Sequence, residues 1–190
     1  MNSMGSDQYL SLLPLILGWM QQTLDAHAGN RRPVSSFNFP RLSSYFSQDL
    51  LKSAGVVVAS KVPVPPLAAL GLVEFAAFET QPVDGITYQD TYFVRTSASI
   101  SESLHLHELV HVVQWRTLGP RDFLLLYAAG LAQCGYLECP LETMAYRHQR
   151  RFETEEPPYG IEAEVRAETL ALKSTVCRDA PDINQRRIGL

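Results

Sequence analysis

Apolar residues recur at intervals of about one helical turn near the start of the chain. Between residues 9 and 28 they are Leu12, Leu13, Ile16, Leu17, Met20 and Leu24. This spacing places them on one face of a helix, and Gly29 is typical of a residue that ends one. We therefore expect an amphipathic packing helix over residues 9–28. A connector with two prolines follows, and then a short helix is predicted over residues 42–52.

The pattern becomes that of β-strands between residues 55 and 95. Two apolar runs, at residues 55–62 and 72–78, are separated by a proline-rich stretch that neither a helix nor a central strand accommodates. Val83-Asp84-Gly85 marks a turn, and residues 86–95 then alternate aromatic or β-branched residues with polar ones. All three segments are predicted to be strands, and the last one has the half-exposed pattern of an edge strand.

Helical periodicity dominates the chain after residue 95. Ser99 and Glu102 have the spacing of a capping box, with Ser99 as N-cap, and open a helix that Gly119 and Pro120 end. Further helices are predicted over residues 121–134, 141–152 and 161–177. This order of elements predicts an α+β fold in which a small antiparallel sheet is followed by a helical bundle.

A single domain over residues 1–190 is expected, because the chain has no internal repeat, low-complexity tract or long run of charge. Its parts are an N-terminal helical segment at residues 1–54, the sheet at residues 55–95 and a helical part at residues 96–178.

Composition and charge exclude several classes of partner. Sixteen basic residues against twenty acidic ones give a net charge of −4, which argues against nucleic acid. The apolar run at residues 10–19 follows no basic residue and is far shorter than the roughly 20 residues that span a bilayer. Three cysteines without a CxxC pair are predicted to be buried, reduced thiols: Cys134, Cys139 and Cys177. We therefore expect a cytoplasmic protein with no membrane partner.

The well-delimited helix after residue 99 contains His107-Glu108-Leu109-Val110-His111, an HExxH motif. The two histidines are four positions apart, so both imidazoles can reach one metal ion from the same helix face. Glu108 lies about 100° around the helix and can address a water at the metal instead. Apolar residues flank the motif on most sides, and unpaired His and Glu side chains would be costly in such a buried helix. The motif therefore predicts a metal site.

A catalytic zinc site usually has three protein ligands and one open position, so a third ligand is needed. The downstream candidates are Glu138, Glu142, His148 and Glu153. Glu142 is favoured because Pro140 fixes the start of a helix and places Glu142 in its first turn. Ala145, a small residue at i+3, would let that helix approach the HExxH helix closely. The alternative is that Glu142 only complements the helix dipole.

The motifs resemble those of known proteins. HExxH with a glutamate on a downstream helix resembles the zincin metallopeptidases of the gluzincin kind. More closely, HELVHVVQW followed by PLETMAY resembles small bacterial metallopeptidase-like proteins, akin to the domain found with contractile injection systems, which show HELxHVxQ and then PLExxAY. The resemblance covers residues 86–152 and implies a compact zincin-like fold with zinc bound by His107, His111 and Glu142. It also implies that Glu108 is the general base, although the NExxxD sequence of thermolysin-like enzymes is absent.

The expected function is that of a zinc-dependent hydrolase, specifically a metallopeptidase acting on a peptide or protein. On this hypothesis Glu108 accepts a proton from a zinc-activated water and passes it to the leaving amine. The developing oxyanion needs a donor, for which Tyr146, one turn beyond Glu142, is the first candidate, with Tyr136 and His148 behind it. The strand at residues 86–95 would bind an extended peptide by edge pairing.

Two other functions are weighed against hydrolysis. The same residues could hold zinc in a non-catalytic interaction module, although a structural site has four closed ligands and no use for a base beside the metal. The third possibility is a helical adaptor without any metal.

The neighbouring polar residues have more modest expected roles. Gln114 could orient a ligand, meet the substrate or form a hydrogen bond along the helix flank. His105 points away from the metal side and is not an expected ligand, and His27 lies at a helix end, where a cation interacts favourably with the dipole. A solvated helix face is predicted for Arg147, Arg150 and Arg151.

Overall fold

The computed structural model describes residues 6–72, 76–80, 82–155 and 157–179. Its helices, besides short 3-10 turns, are α1 (Ser6–Ala26), α2 (Gln48–Ser53), α3 (Ala76–Thr80), α4 (Glu102–Cys134), α5 (Pro140–Glu153) and α6 (Ile161–Asp179). The strands are β1 (Arg32–Pro33), β2 (Gly55–Ala59), β3 (Gly85–Tyr88) and β4 (Thr91–Arg95). The predicted α+β class is confirmed, since a small sheet precedes a helical region.

The sheet is mixed, with the order β1-β2-β4-β3, and the prediction of an antiparallel sheet is wrong for its central pair. β2 and β4 run parallel, with Gly55 opposite Thr91 and Ala59 opposite Arg95, whereas the outer pairs are antiparallel. Parallel neighbours need a long connection, and residues 60–84 provide it. The short β1 lies in the N-terminal segment, within the predicted connector between its two helices, where no strand is expected.

The segment at residues 86–95 is a hairpin and not the single strand that its alternation predicts. Its turn is formed by Gln89 and Asp90, with Gln89 in the left-handed region at φ 59°. The hairpin places β4 in the middle of the sheet beside β2 and leaves β3 at the edge. Of the predicted 86–95 strand, only the part in β3 lies at an edge of the sheet.

The predicted strand at residues 72–78 is also wrong in its described part. Residues 76–80 form α3, and residues 73–75 lie outside the described residues. A short apolar run fits a buried strand and a buried helix equally well, so periodicity alone could not separate them.

Helix α4 is the central element of the fold, and Ser101 caps it in place of the predicted Ser99. The Ser101 hydroxyl accepts the backbone N–H of Leu104 at 3.3 Å. Glu102 is the first residue of the helix, and its carboxylate accepts the backbone N–H groups of Arg41 and Leu42 at 2.7 and 2.9 Å. These contacts tie the start of α4 to the N-terminal segment.

Helix α4 is interrupted at Gly119, where the sequence predicts a helix end. Gly119 has φ 75° and ψ 165°, a conformation that favours glycine, and the helix resumes at Pro120. The chain direction changes there, so residues 120–134 form a second helical half that packs differently from residues 102–118. The second half can consequently fold back towards the side of the first half that carries the HExxH histidines.

Buried apolar side chains cover both faces of the sheet. Val56 and Tyr92 point into one cluster, with the first half of α4, α5 and α6, while Val57 and Phe93 point into another, with α1 and the second half of α4. Residues 105–115 of α4 are buried without interruption, because the sheet and helices α1, α5 and α6 pack around them. The prediction that the HExxH helix is buried is confirmed.

The cysteines differ in their surroundings. Cys139 is buried and carries a free thiol, as predicted, but Cys134 is exposed, so the prediction that it is buried is wrong. Cys134 is the last residue of α4, where the helix end meets solvent. The side chain of Cys177 lies outside the described residues.

Among the described residues, no helix combines the length and the apolar character needed to cross a bilayer. The apolar run at residues 10–19 belongs to α1, whose Ile16 and Met20 are buried in the cluster that also contains Phe93. This confirms α1 as a packing helix.

The close approach of α4 and α5 depends on the absence of a side chain at Gly130. A Cβ there would lie 2.7 Å from Sγ of the buried Cys139 and 3.0 Å from Cδ of Pro140. We expect Gly130→Ala to lower the free energy of unfolding by about 1–3 kcal/mol, because the start of α5 must move. The measurement is urea unfolding followed by circular dichroism.

Gly18→Ala in α1 is the matched control, since nothing lies within 4 Å of the added Cβ. The alanine should raise the stability of the protein by up to about 1 kcal/mol through helix propensity. If both variants were equally stable, the close contact at Gly130 would not constrain the packing of the two helices.

Candidate metal centre

Three side chains from two helices converge beside the sheet. His107 and His111 project from α4, and Glu142 projects from the first turn of α5. The two Nε2 atoms lie 3.1 Å apart. Oε2 of Glu142 lies 3.5 Å from Nε2 of His107, and Oε1 of Glu142 lies 3.4 Å from Nε2 of His111. All three side chains are buried. The structure thus brings together the three ligands proposed from the sequence.

These separations fit a tetrahedral metal site. Donor atoms placed 2.0–2.1 Å from a zinc ion in tetrahedral geometry are roughly 3.3–3.4 Å from one another. Oε2 of Glu142 is buried without a hydrogen-bond partner, a costly state that a cation would relieve. Two imidazole nitrogens and a carboxylate oxygen are also a donor set that zinc prefers. The cluster could therefore hold a metal ion.

The electrostatics keep the carboxylate in its metal-binding form. Burial alone would raise the pKa of Glu142, but the charges and hydrogen bonds of His111 and His107 hold it well below its usual value. Burial likewise lowers the pKa of His111, and the Glu142 carboxylate more than offsets this effect. Glu142 is consequently ionised at neutral pH and attracts positive charge to the centre, whether a proton or a metal ion.

Two hydrogen bonds orient the side chains of His111 and Glu142. Nδ1 of His111 lies 2.8 Å from Oε1 of Gln114, whose amide nitrogen donates to the backbone carbonyl of Leu141 at 3.0 Å. The amide oxygen requires a proton on Nδ1 and so leaves Nε2 free to bind a metal. The Tyr127 hydroxyl donates to Oε1 of Glu142 at 2.7 Å. Of the roles considered for Gln114, the geometry supports ligand orientation.

Sequence reasoning missed Tyr127. It lies in the second half of α4, sixteen positions after the motif's last histidine, and reaches Glu142 only because the helix breaks at Gly119. A break at Gly119-Pro120 is visible in the sequence, but the direction in which the second half folds back is not.

Glu108 lies beside the three ligands without joining them. Its Oε2 accepts a hydrogen bond of 2.6 Å from the Thr87 hydroxyl on β3. Burial raises the pKa of the carboxylate, and the charges of His107 and His111 only partly oppose that rise. A buried carboxylate with a raised pKa is suited to accepting and releasing a proton near neutral pH.

Gly85 lets β3 approach Glu108, a role that the sequence did not reveal. A Cβ at this position would overlap Oε1 and Cδ of the Glu108 side chain. The sequence marks Gly85 only as part of a turn, whereas it begins β3 and lies against the carboxylate. The glycine therefore fixes how closely the edge strand and Glu108 pack.

Two tyrosines lie at the other side of the centre. The Tyr146 ring packs against the His107 ring with centroids 4.6 Å apart, and its hydroxyl is hydrogen-bonded to that of Tyr136. Tyr136 lines the same cavity as the ligands. Burial, with a further contribution from the charge of Glu142, raises the pKa of both hydroxyls, so both are protonated hydrogen-bond donors at neutral pH.

The remaining third-ligand candidates lie elsewhere. Glu138 and Glu153 are exposed. His148 is buried, but its Nδ1 lies 2.6 Å from the Tyr159 hydroxyl, and it groups with Glu164 and Glu168 instead of the HExxH histidines. Only Glu142, among the four candidates, joins His107 and His111.

The other histidines have separate partners, in agreement with the expectation that they are not ligands. Nδ1 of His105 lies 2.7 Å from the Tyr92 hydroxyl, and its Nε2 lies 2.9 Å from the carbonyl oxygen of Ser99. His27 follows the end of α1, with Nδ1 2.8 Å from the carbonyl oxygen of Thr23.

The arginines of α5 do more than form a solvated face. Arg147 contacts Glu168 at 2.7 Å and Arg151 contacts Glu164 at 3.0 Å, so both connect α5 to α6. Arg150 is exposed, as predicted.

We expect Tyr127→Phe to weaken zinc binding roughly 10- to 100-fold, because Glu142 loses the hydrogen bond that orients it. Competition with a fluorescent zinc chelator measures the affinity. Tyr88→Phe is the control: Tyr88 is also a buried tyrosine, but its hydroxyl donates to the carbonyl of Pro63 at 2.6 Å and touches no ligand. Equal zinc affinities of the two variants would show that Tyr127 does not position Glu142.

No protein-family model matches the chain, and no curated protein or solved structure is detectably similar to it. Function is therefore inferred from the chemistry of the site alone.

Proposed function

We propose that this protein is a zinc-dependent hydrolase, specifically a metallopeptidase of the gluzincin kind, whose zinc would be held by His107, His111 and Glu142. The observation that carries the proposal is the convergence of two imidazole nitrogens and the Glu142 carboxylate, with contacts of 3.1–3.5 Å between them, beside the second carboxylate of Glu108. Three protein ligands leave one coordination position open for chemistry, as catalytic zinc sites do.

A zinc ion at this centre would supply an acidified water and polarise a carbonyl oxygen. The protein's own residues would move the protons. Glu108 would accept a proton from the attacking water at Oε1, while Thr87 holds Oε2, and would then release that proton to the leaving amine. Its raised pKa supports this role, because a weakly basic carboxylate would accept the proton less readily.

Hydrogen-bond donors for the developing oxyanion are proposed on α5 and in the segment before it. The Tyr146 hydroxyl is the candidate named from the sequence, and the Tyr136 hydroxyl, bonded to it and lining the cavity, is proposed to act with it. Two linked donors can share one proton network, which favours stabilisation of a negative oxygen.

The fold is proposed to be zincin-like, with an edge strand before the HExxH helix and the third ligand on a later helix. A peptide substrate would lie along β3, the edge strand that touches Glu108 through Gly85. A cytoplasmic location is proposed with it, supported by the free thiols of Cys134 and Cys139.

A non-catalytic zinc-stabilised module is the second candidate. It is favoured by the burial of all three ligands and by their position across α4 and α5, where a metal would tie the two helices together. Such a module has no need of Glu108, which separates the two functions experimentally.

Zinc content is the first test. We expect about one zinc per chain in protein purified without chelators, and much less in His107→Ala and Glu142→Ala, because each loses one of three ligands. His27→Ala is the matched control, since that histidine contacts the backbone at the end of α1. Full zinc in Glu142→Ala, measured by elemental analysis, would remove Glu142 from the ligand set.

Glu108→Gln tests catalysis separately from metal binding. The variant keeps an acceptor for Thr87 but cannot take up a proton, so we expect it to retain zinc and to lose hydrolysis of dye-labelled casein by roughly 10²–10⁴-fold. Glu138→Gln makes the same chemical change at an exposed position and should be fully active. A zinc-loaded wild type without hydrolytic activity would instead favour the interaction module.

A further inference from the structure

The three candidate ligands and Glu108 line a partly open cavity of about 120 Å³. Residues of α1, β3 and both halves of α4 complete its walls. Most of the other lining side chains among the described residues are apolar, including Ile16, Met20, Leu67, Phe123, Ala128 and Leu131. The wall thus combines the polar metal-site residues with a larger apolar part.

The lack of charged side chains in most of the lining favours the binding of uncharged groups. The ionisable groups that line the cavity among the described residues are the metal-site residues and tyrosines, and no Lys, Arg or Asp is among them. The Tyr88 hydroxyl is already bonded to the carbonyl of Pro63. A charged or strongly polar group against the apolar part of the wall would therefore lose its hydration without gaining a partner.

The volume of the cavity limits the size of the group that it can bind. An apolar cavity of roughly 150 Å³ holds a benzene molecule. The whole cavity here measures about 120 Å³, including the space beside the metal-site residues, so nothing larger than a phenyl ring or a branched aliphatic group fits, and only if the walls adjust. Met20 is fully buried on the wall formed by α1, and its flexible side chain can make such an adjustment.

We propose that this cavity is the specificity pocket of the centre and that it binds an uncharged phenyl-sized or branched aliphatic side chain next to the scissile bond. The inference rests on the proposed function and adds the substrate class to it. Part of the pocket, including Ile16, Met20 and Leu67, comes from α1 and the connection after β2, which lie outside the segment that carries the metallopeptidase motifs. Selectivity would consequently depend on the N-terminal part of this chain as well as on α4.

Hydroxamic acids test the pocket because the hydroxamate group anchors each probe at the metal while its substituent varies. Calorimetric titration of the zinc-loaded protein would compare acetohydroxamic acid, 3-phenylpropanohydroxamic acid and 6-aminohexanohydroxamic acid. We expect the phenyl compound to bind roughly 10- to 100-fold more tightly than the methyl one, because its ring leaves water. The amino compound should bind no more tightly than acetohydroxamic acid. Equal affinities of the phenyl and methyl compounds would overturn the proposal.

A variant that fills the cavity with a larger side chain tests whether the phenyl ring binds inside it. Ala128 lines the cavity, and Ala128→Leu should abolish the preference for the phenyl compound while leaving acetohydroxamic acid binding unchanged. Ala132→Leu is the control, one turn further along the same helix at an exposed position. A preference that survives in Ala128→Leu would place the ring outside the cavity. The wild-type comparison remains decisive if Ala128→Leu does not fold.

Zinc content and ligand binding in the cavity can be measured separately, so the function proposal and the pocket proposal can fail independently. If the wild type binds no zinc, the function proposal fails, and the pocket is tested by toluene on the metal-free chain. Toluene should then raise the melting temperature of the wild type and of Ala132→Leu but not of Ala128→Leu. The absence of any shift in the wild type would overturn the pocket proposal on its own.

Discussion

The contact between α4 and α5 is the constraint on which the site depends. Gln114 bridges the two helices, since its amide oxygen faces Nδ1 of His111 and its amide nitrogen donates to the carbonyl of Leu141. One buried side chain thus fixes the orientation of a ligand on α4 and the position of the turn that carries Glu142 on α5. The absence of a side chain at Gly130 then lets the second half of α4 lie against the start of α5. Because these groups are buried, breaking one of these contacts would leave a polar group with neither a protein partner nor water, which costs free energy.

The sheet positions the remaining carboxylate. Its edge strand β3 brings the Thr87 hydroxyl to Oε2 of Glu108, and Gly85 leaves the room that the other oxygen occupies. Glu108 therefore has a fixed orientation set by a different part of the fold from the one that sets the three ligands. This division explains how a carboxylate can lie among the HExxH histidines without becoming a ligand. It also means that a change in the hairpin can disturb Glu108 while the ligand geometry persists.

Local patterns predicted which side chains converge at the site but not the contacts that hold them in place. The HExxH spacing paired His107 with His111 through helix geometry, and the first turn after Pro140 favoured Glu142 among four candidates, the one that the structure places beside both histidines. Tyr127 could not be predicted, since its contact with Glu142 depends on the direction of the chain after Gly119. The parallel pairing of β2 with β4 was missed for the same reason: strand order depends on how a long connection crosses the sheet. The α+β class followed from element order, which needs no such information.

Burial raises the pKa of both carboxylates at the centre, but the two histidines outweigh that effect only for Glu142. Glu142 stays ionised because two histidines face it, whereas burial raises the pKa of Glu108, which has only the Thr87 hydroxyl as a donor among the described side chains. Two glutamates that interact with the same two histidines thus acquire different proton affinities from their surroundings. One is suited to holding a cation and the other to exchanging a proton. A centre built only to tie two helices together would need the first property and not the second, and this is why we propose hydrolysis before a structural role.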